Sequence, residues 1–241
     1  MKIRRLNEID LARFCAITDD DSLRQELRRY NLGGGAWSYD PVRRSIADIL
    51  NAQIPLFTPI AEPSAEQLQS QITRACNRGA VQAEANWLVG KTLLDYRTKY
   101  GWRTVKFLMG SMPLGFGESA SYWSDVVIDD GGSLIIAYFD QRREGGIQNA
   151  QQRRIVHSMQ NAWVRDRHLD LSSAKLAVIR FPSQPEGRAV DIQYHDETNL
   201  LQYEDLDAAV KRVYRLWAEV SREKQAKERA SGTGGKTPMG F

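Results

Sequence analysis

SDVVIDDGGSLIIAYFDQRR, residues 124–143, is the stretch of sequence that decides the fold. Two apolar runs, 126–128 and 134–139, flank the tetrapeptide Asp-Asp-Gly-Gly at 129–132. A turn of that composition between apolar runs predicts a β-hairpin. The second strand stops abruptly at Asp140, Gln141 and Arg142, so a carboxylate and a guanidinium stand where an apolar strand ends. The hairpin is therefore also the first place to look for a functional site.

The segments around the hairpin predict an α/β fold, a mixed β-sheet flanked by helices with a helical N-terminal region. The segment WRTVKFLMG (102–110) is typical of a strand, and NAQQRRIVHSMQNAWVRD (149–166) is typical of a helix. The next segment, AKLAVIRFP (174–182), is a continuous apolar run of the kind found in buried parallel strands. A hairpin followed by a helical crossover to a buried strand requires a mixed sheet with helices packed on it.

Changes in composition and in the spacing of apolar residues predict three regions. These are a helical N-terminal region at 1–62, an α/β domain at 63–226 and a flexible tail at 227–241. The first region contains short helical segments that follow Asn or Asp, and it ends in the proline-bearing stretch PLFTPIAEP, which predicts an extended linker. Ser64 and Gln67 then form a capping-box pattern at the start of a helix. A second helix is predicted from the apolar rhythm of Val81, Ala85 and Leu88.

Composition excludes several classes of protein. The chain has 241 residues, a formal net charge of +3 and two cysteines, Cys15 and Cys76, without a CxxC pair, which argues against a disulfide scaffold and a structural zinc. No apolar stretch is long enough to span a bilayer, and the start MKIRRLNEID lacks the apolar core of a secretory signal. These features predict a cytoplasmic protein with no membrane partner. The mild positive charge fits a nucleic-acid partner without requiring one.

Asp125 and Asp140 are predicted to converge at one end of the hairpin. The turn lies near residue 131, so Asp125 faces the far end of the second strand, and side chains two residues apart on a strand share a face. Two neighbouring carboxylates repel unless a positive charge neutralises them, and Mg²⁺ or Mn²⁺ favours such oxygen ligands. Glu84, on the preceding helix, either faces solvent or supplies a third carboxylate to the same ion.

The order helix, three strands, helix, strand over about residues 78–182 resembles the PD-(D/E)XK nuclease superfamily. The matching residues are Glu84, Asp125, Asp140 and Arg142, with SDVV in the place of the PD element and DQR in the place of (D/E)XK. The resemblance implies a restriction-endonuclease-like core and Mg²⁺-dependent hydrolysis of nucleic-acid phosphodiesters, DNA more than RNA. It implies Asp125, Asp140 and the Gln141 carbonyl as metal ligands, with Glu84 holding a second ion or a metal-bound water.

Arg142 departs from the pattern, because the superfamily has a lysine there. Arginine stays protonated, so it can orient water or stabilise charge on phosphorus but cannot act as a base. Either the variant is tolerated, with Lys106 as an alternative lysine, or cleavage is lost. The second hypothesis is therefore a nuclease-fold subunit that no longer cuts and serves as a binding or scaffold module, with the N-terminal helices and the C-terminal tail as surfaces for protein partners.

Arginines cluster after the hairpin and indicate phosphate contacts. The residues assigned to nucleic-acid binding are Arg143, Gln152, Arg153 and Arg154. A solvated helix face explains the same cluster equally well. A third and weaker hypothesis is an α/β protein in which the hairpin carboxylates are purely structural.

Overall fold

A five-stranded mixed sheet lies at the centre of the protein in a computed structural model, which describes residues 5–6, 8–30, 38–54, 58–114, 117–122, 124–196 and 199–230. The strands are β1 (Arg103–Lys106), β2 (Ser111–Pro113), β3 (Ser119–Ser121), β4 (Val126–Asp129), β5 (Leu134–Asp140), β6 (Lys175–Arg180), β7 (Ser183–Gln184), β8 (Gly187–Arg188) and β9 (Asp191–Tyr194). The central sheet has the order β1-β4-β5-β6-β9, and β2–β3 and β7–β8 form two small separate hairpins.

The predicted hairpin is confirmed as the β4–β5 pair, in which Val127 lies opposite Ile136 and Asp129 lies opposite Leu134. The turn is stabilised by its own carboxylates. Asp129 Oδ1 accepts a hydrogen bond from the N–H of Gly131 at 2.8 Å, and Asp130 Oδ1 accepts one from Ser133 at 2.8 Å. Gly131 has a φ of +87°, a conformation that glycine adopts at no steric cost. Local turn chemistry therefore contributes to setting the register.

The predicted crossover is also confirmed, because β5 and β6 are parallel and a helix joins them. The helices are α1 (Glu8–Cys15), α2 (Asp20–Arg29), α3 (Asp40–Arg44), α4 (Ile46–Ile49), α5 (Ala65–Ala75), α6 (Ala80–Tyr100), α7 (Ala150–Trp163) and α8 (Tyr203–Ala230). Ser64 and Gln67 form the predicted capping box of α5. The α/β class with helices flanking a mixed sheet is thus shown. Nothing in the architecture confirms the finer prediction, a restriction-endonuclease-like core.

Both faces of the sheet are covered. On β5, Ile136 and Tyr138 belong to a core shared with α1, α2, α7 and α8, while Ile135 and Ala137 belong to a second core shared with α3, α4, α5 and α6. Helices from residues 1–62 therefore lie on both faces, and the predicted boundary at residue 62 does not fall at a gap in packing. Of the predicted tail, residues 231–241 lie outside the described residues.

Polar side chains carry part of the buried stripe of α6. The buried positions are Gln82, Asn86, Val89, Gly90, Leu93 and Arg97. Gln82 and Asn86 both donate to the carbonyl of Ser38, and Arg97 donates to the carbonyl of Ile49 at 3.0 Å. These bonds satisfy the buried groups and hold the α3–α4 segment on α6. No helix in the described ranges is both long and apolar enough to cross a membrane.

We predict that Gly90→Val destabilises the fold by overpacking this contact. A Cβ at Gly90 would lie 3.0 Å from Ile72 Cδ1 and 3.4 Å from Ile49 Cδ1, so a branched side chain has no free volume. Overpacking of this kind costs about 1–3 kcal/mol, measured as the free energy of unfolding in urea. Glu84→Val, on the exposed side of the same helix, is the control for β-branched propensity. Equal losses in both variants would contradict the prediction.

Candidate functional site

The carboxylate of Asp140 closes the loop that follows β5. Asp140 is fully buried, its Oδ2 accepts the N–H of Ile147 at 2.6 Å, and its Oδ1 accepts the N–H of Arg142 at 3.3 Å. Gly146 lies so close that a Cβ there would be 2.1 Å from Oδ2. Burial raises the pKa of Asp140 above its ordinary value, although the two N–H groups and the charges of Arg142 and Arg180 oppose the increase. The Asp140 carboxylate thus holds the following loop closed through its backbone N–H groups, and we call this arrangement the loop clasp.

The other predicted metal ligands have different environments from the fully buried Asp140. Asp125 is exposed and precedes β4, and continuing the β4–β5 register places it opposite Tyr138. Glu84 is exposed on α6, which packs on the sheet face opposite that of Tyr138 and Asp140. Gln141 is buried, and its Nε2 has no hydrogen-bond partner within the described chain.

The described residues hold no group of three or more His, Cys, Asp or Glu side chains arranged to bind a metal ion. The ligand roles of Glu84, Asp125, Asp140 and Gln141 therefore stay predictions, as does the Mg²⁺ or Mn²⁺ ion itself. The clasp geometry of Asp140 accounts for its position without an ion, because both of its oxygens accept backbone N–H groups.

Arg142 is half-buried and binds a carboxylate that the sequence analysis missed. Its Nη1 and Nη2 donate to Asp10 Oδ1 and Oδ2 at 2.7 and 2.9 Å, a bidentate ion pair. Asp10, on α1, also accepts from Arg13 Nη1 at 3.0 Å and from the Tyr30 hydroxyl at 2.8 Å. Burial acts to raise the pKa of Asp10, but Arg142, Tyr30 and Arg13 outweigh it and hold that pKa below its ordinary value.

The predicted nucleic-acid residues lie around the start of α7. Gln152 is the capping-box partner of Asn149, since its Oε1 accepts the N–H of Asn149 and its own N–H binds Asn149 Oδ1 at 2.9 Å. Arg153 donates to the carbonyl of Gln148 at 3.2 Å, and Arg154 donates to that of Asn199 at 2.6 Å. Arg143 is exposed in the loop before the helix. A role in phosphate binding stays a prediction for these four residues.

A different surface stands out at the β1 edge of the sheet. On its outer side β1 is bridged by a single residue, Gln53, whose N–H donates to the Thr104 carbonyl at 2.9 Å and whose carbonyl accepts the N–H of Lys106 at 2.8 Å. The Gln53 side chain then closes a loop. Its Oε1 accepts the N–H of Ile60 at 2.7 Å, and its Nε2 donates to the carbonyls of Asn51 and Ile60 at 2.9 and 3.3 Å.

Three large apolar side chains are exposed at this edge. Ile54 is 40% exposed, Ile60 44% and Val105, the bridge partner of Gln53, 37%. We call these three residues the edge-loop surface. Residues 55–57, between Ile54 and the rest of the loop, lie outside the described residues. Grouped exposed apolar side chains mark surfaces that bind other molecules. The sequence signal is a run of large apolar residues between prolines, which the linker interpretation passed over.

Comparisons with known proteins agree on one family. The family model described as "Sliding clamp-binding bacterial toxin SocB" matches residues 9–227. The chain is also 30% identical over 236 residues to the DNA replication inhibitor toxin SocB of Caulobacter vibrioides (strain NA1000 / CB15N), and the alignment covers 98% of each chain. No solved structure matches the chain.

These matches overturn the nuclease interpretation. The resemblance to the PD-(D/E)XK superfamily rests on a short motif and an element order, whereas the family match spans almost the whole chain. The predicted membership is wrong, and with it the predicted nuclease activity, its hydrolase chemistry and nucleic acid as the main partner. The alternative of an inactive nuclease-fold subunit is wrong for the same reason. The acid-x-basic motif at 140–142 has a structural explanation in the loop clasp and the Asp10 ion pair.

We predict that Asp10→Asn destabilises the protein at neutral pH, because the charge of Arg142 loses its partner. Removing one member of a buried ion pair costs several kcal/mol of stability. Because Arg142 is partly exposed to solvent, we expect a smaller decrease in the free energy of unfolding, about 2–4 kcal/mol. Since the pKa of Asp10 is lowered in the folded state, its stabilising effect is present above the unfolded value of about 3.9 and disappears as the pH falls through the folded value.

The measurement is urea unfolding of both proteins between neutral and acidic pH. The difference in the free energy of unfolding between wild type and Asp10→Asn should become smaller as the solution becomes acidic. Asp21→Asn, which removes a carboxylate whose side chain is 94% exposed, is the control and should change stability little. A difference that stays constant with pH would contradict the assigned charge state of Asp10.

Proposed function

Since the chain belongs to the SocB family of sliding clamp-binding bacterial toxins, we propose that it binds a bacterial sliding clamp and thereby inhibits DNA replication. The observation that carries the proposal is the extent of the match, which includes the sheet, both helical layers and the edge-loop surface. Chromosome replication takes place in the cytoplasm of bacteria, so the cytoplasm is the proposed site of action.

Inhibition by binding needs no reacting group on the toxin, and the described residues fit that requirement. The acidic and basic groups at the end of β5 are engaged in holding the loop and α1 together. No metal-binding group of three acidic, histidine or cysteine side chains occurs in the part of the chain that the structure describes. The bound toxin would act by occupying clamp surface that the replication machinery needs.

We propose the edge-loop surface as the part of the toxin that contacts the clamp. Binding surfaces owe most of their affinity to a few apolar anchors, and Ile54, Ile60 and Val105 are exposed together. The bonds of the Gln53 side chain join the two ends of the loop before the partner arrives, which lowers the entropy lost on binding.

The first test is direct binding of the purified chain to the sliding clamp of the bacterium that encodes it, followed by clamp-dependent primer extension. We expect tight binding and arrest of extension. The template should remain intact in Mg²⁺ buffer. Expression of the chain in that bacterium should stop DNA synthesis. Failure of the wild-type chain to bind the clamp, or equal inhibition of a reaction that lacks the clamp, would contradict the proposed function.

The second test locates the contact. The double variant Ile54→Asp/Ile60→Asp should bind the clamp at least about tenfold more weakly, because charges replace apolar anchors. Primer extension should recover in parallel. Val81→Asp is the matched control, since Val81 is 68% exposed but lies on α6 rather than at the β1 edge. If the double variant and Val81→Asp bound the clamp with equal affinity, the contact would lie elsewhere on the chain.

A further inference from the structure

We propose that Leu108 and Leu169 form a second anchor for the clamp, next to the edge-loop surface. The inference rests on the proposed clamp binding and extends it to a second part of the chain. The two residues, called here the leucine pair, follow β1 and α7 respectively in the chain. Their positions assign the clamp a footprint that runs along the β1 edge instead of ending at the loop.

The leucine pair is exposed to an extent that folding does not explain. Leu108 is 87% exposed and Leu169 is 92% exposed. Each stands beside a residue that the core does use: Met109 is 3% exposed and Leu171 is 2% exposed. The local backbone is therefore fixed by its buried neighbours, and a polar side chain at either leucine position would cost the core nothing.

Two contacts hold the segments that carry the leucine pair next to each other. The rings of Phe107 and His168, the residues just before the two leucines, meet edge to face with centroids 4.9 Å apart. Arg167 Nη1 donates to the carbonyl of Ser111 at 3.2 Å. The two leucines are thus presented by neighbouring, mutually supported segments, which gives them a defined arrangement before any partner binds.

Leu108 follows the strand that carries Val105. Val105 belongs to the edge-loop surface, and Leu108 lies three residues further along the chain, about 10 Å in extended backbone. The N–H of Phe107 donates to the carbonyl of Asp125 at 2.7 Å, which continues the β1–β4 pairing by one residue beyond Lys106. An interface of ordinary size centred on Ile54 and Val105 extends far enough to include Leu108.

Interface area supports one large partner over a contact limited to the loop. Stable protein interfaces bury on the order of 800 Å² on each partner and involve about 20–30 residues per side. The described residues of the loop, 53–54 and 58–60, number five, well short of that range. Adding β1, residues 107–108 and the segment around Leu169 brings the surface towards the usual size.

The test compares three variants for affinity to the purified clamp: Leu108→Ser/Leu169→Ser, Ile54→Asp/Ile60→Asp and the control Val81→Ser. We expect the leucine-pair variant to bind about tenfold more weakly than wild type, mainly through faster dissociation, and Val81→Ser to bind like wild type. Thermal unfolding of the leucine-pair variant and of Val81→Ser should match wild type, because these side chains are largely exposed. Combining both double substitutions should weaken binding further.

The outcomes separate this inference from the function it rests on. If wild type binds, the Ile54/Ile60 variant binds weakly and the leucine-pair variant binds like wild type, the second anchor is overturned and the proposed function stands. If wild type does not bind the clamp, both fail. A leucine-pair variant that keeps full clamp affinity but loses self-association, measured by sedimentation, would assign the surface to a second copy of the chain and overturn the inference.

Discussion

Burial of the central strands on both faces is the constraint on which the rest of the structure depends. β5 and β6 are apolar throughout, so each face of the sheet needs a layer of helices. The chain supplies both layers from its N-terminal and C-terminal parts, and helices from residues 1–62 contribute to each core. With both faces covered, a partner can approach the sheet at its edges and loops. The exposed apolar side chains at the β1 edge lie at a part of the sheet that neither helical layer covers.

The elements that local sequence controls were predictable. The β4–β5 turn, the capping box of α5 and the buried parallel strand β6 depend on residues within a few positions of each other. The function of the 140–142 motif could not be predicted from the sequence, because an acid-x-basic pair after a buried strand suits a metal site and a loop clasp equally well. The deciding residue is Asp10, which lies 132 positions from Arg142 in the chain. No local pattern reveals that ion pair.

Two further differences have physical causes. The apolar spacing of Val81, Ala85 and Leu88 correctly predicts a helix. The buried stripe of α6, however, contains Gln82, Asn86 and Arg97, which donate hydrogen bonds to carbonyls far away in the sequence. A binding surface is harder still to predict than a buried face, since it needs no reactive residue and no motif of titratable groups. Exposure identifies it, and exposure is a property of the folded chain.

The loop closed by Gln53 has a consequence for how this protein evolves. Its ends are fixed by one side chain, and its attachment to the sheet uses backbone atoms of that same residue. The described attachment of the loop therefore depends on Gln53 and on backbone groups of Ile60, not on the side chains of Ile54 and Ile60. With the proposed clamp contact on this loop, recognition and stability are under separate selection, so the binding residues can change over evolution while the scaffold stays the same.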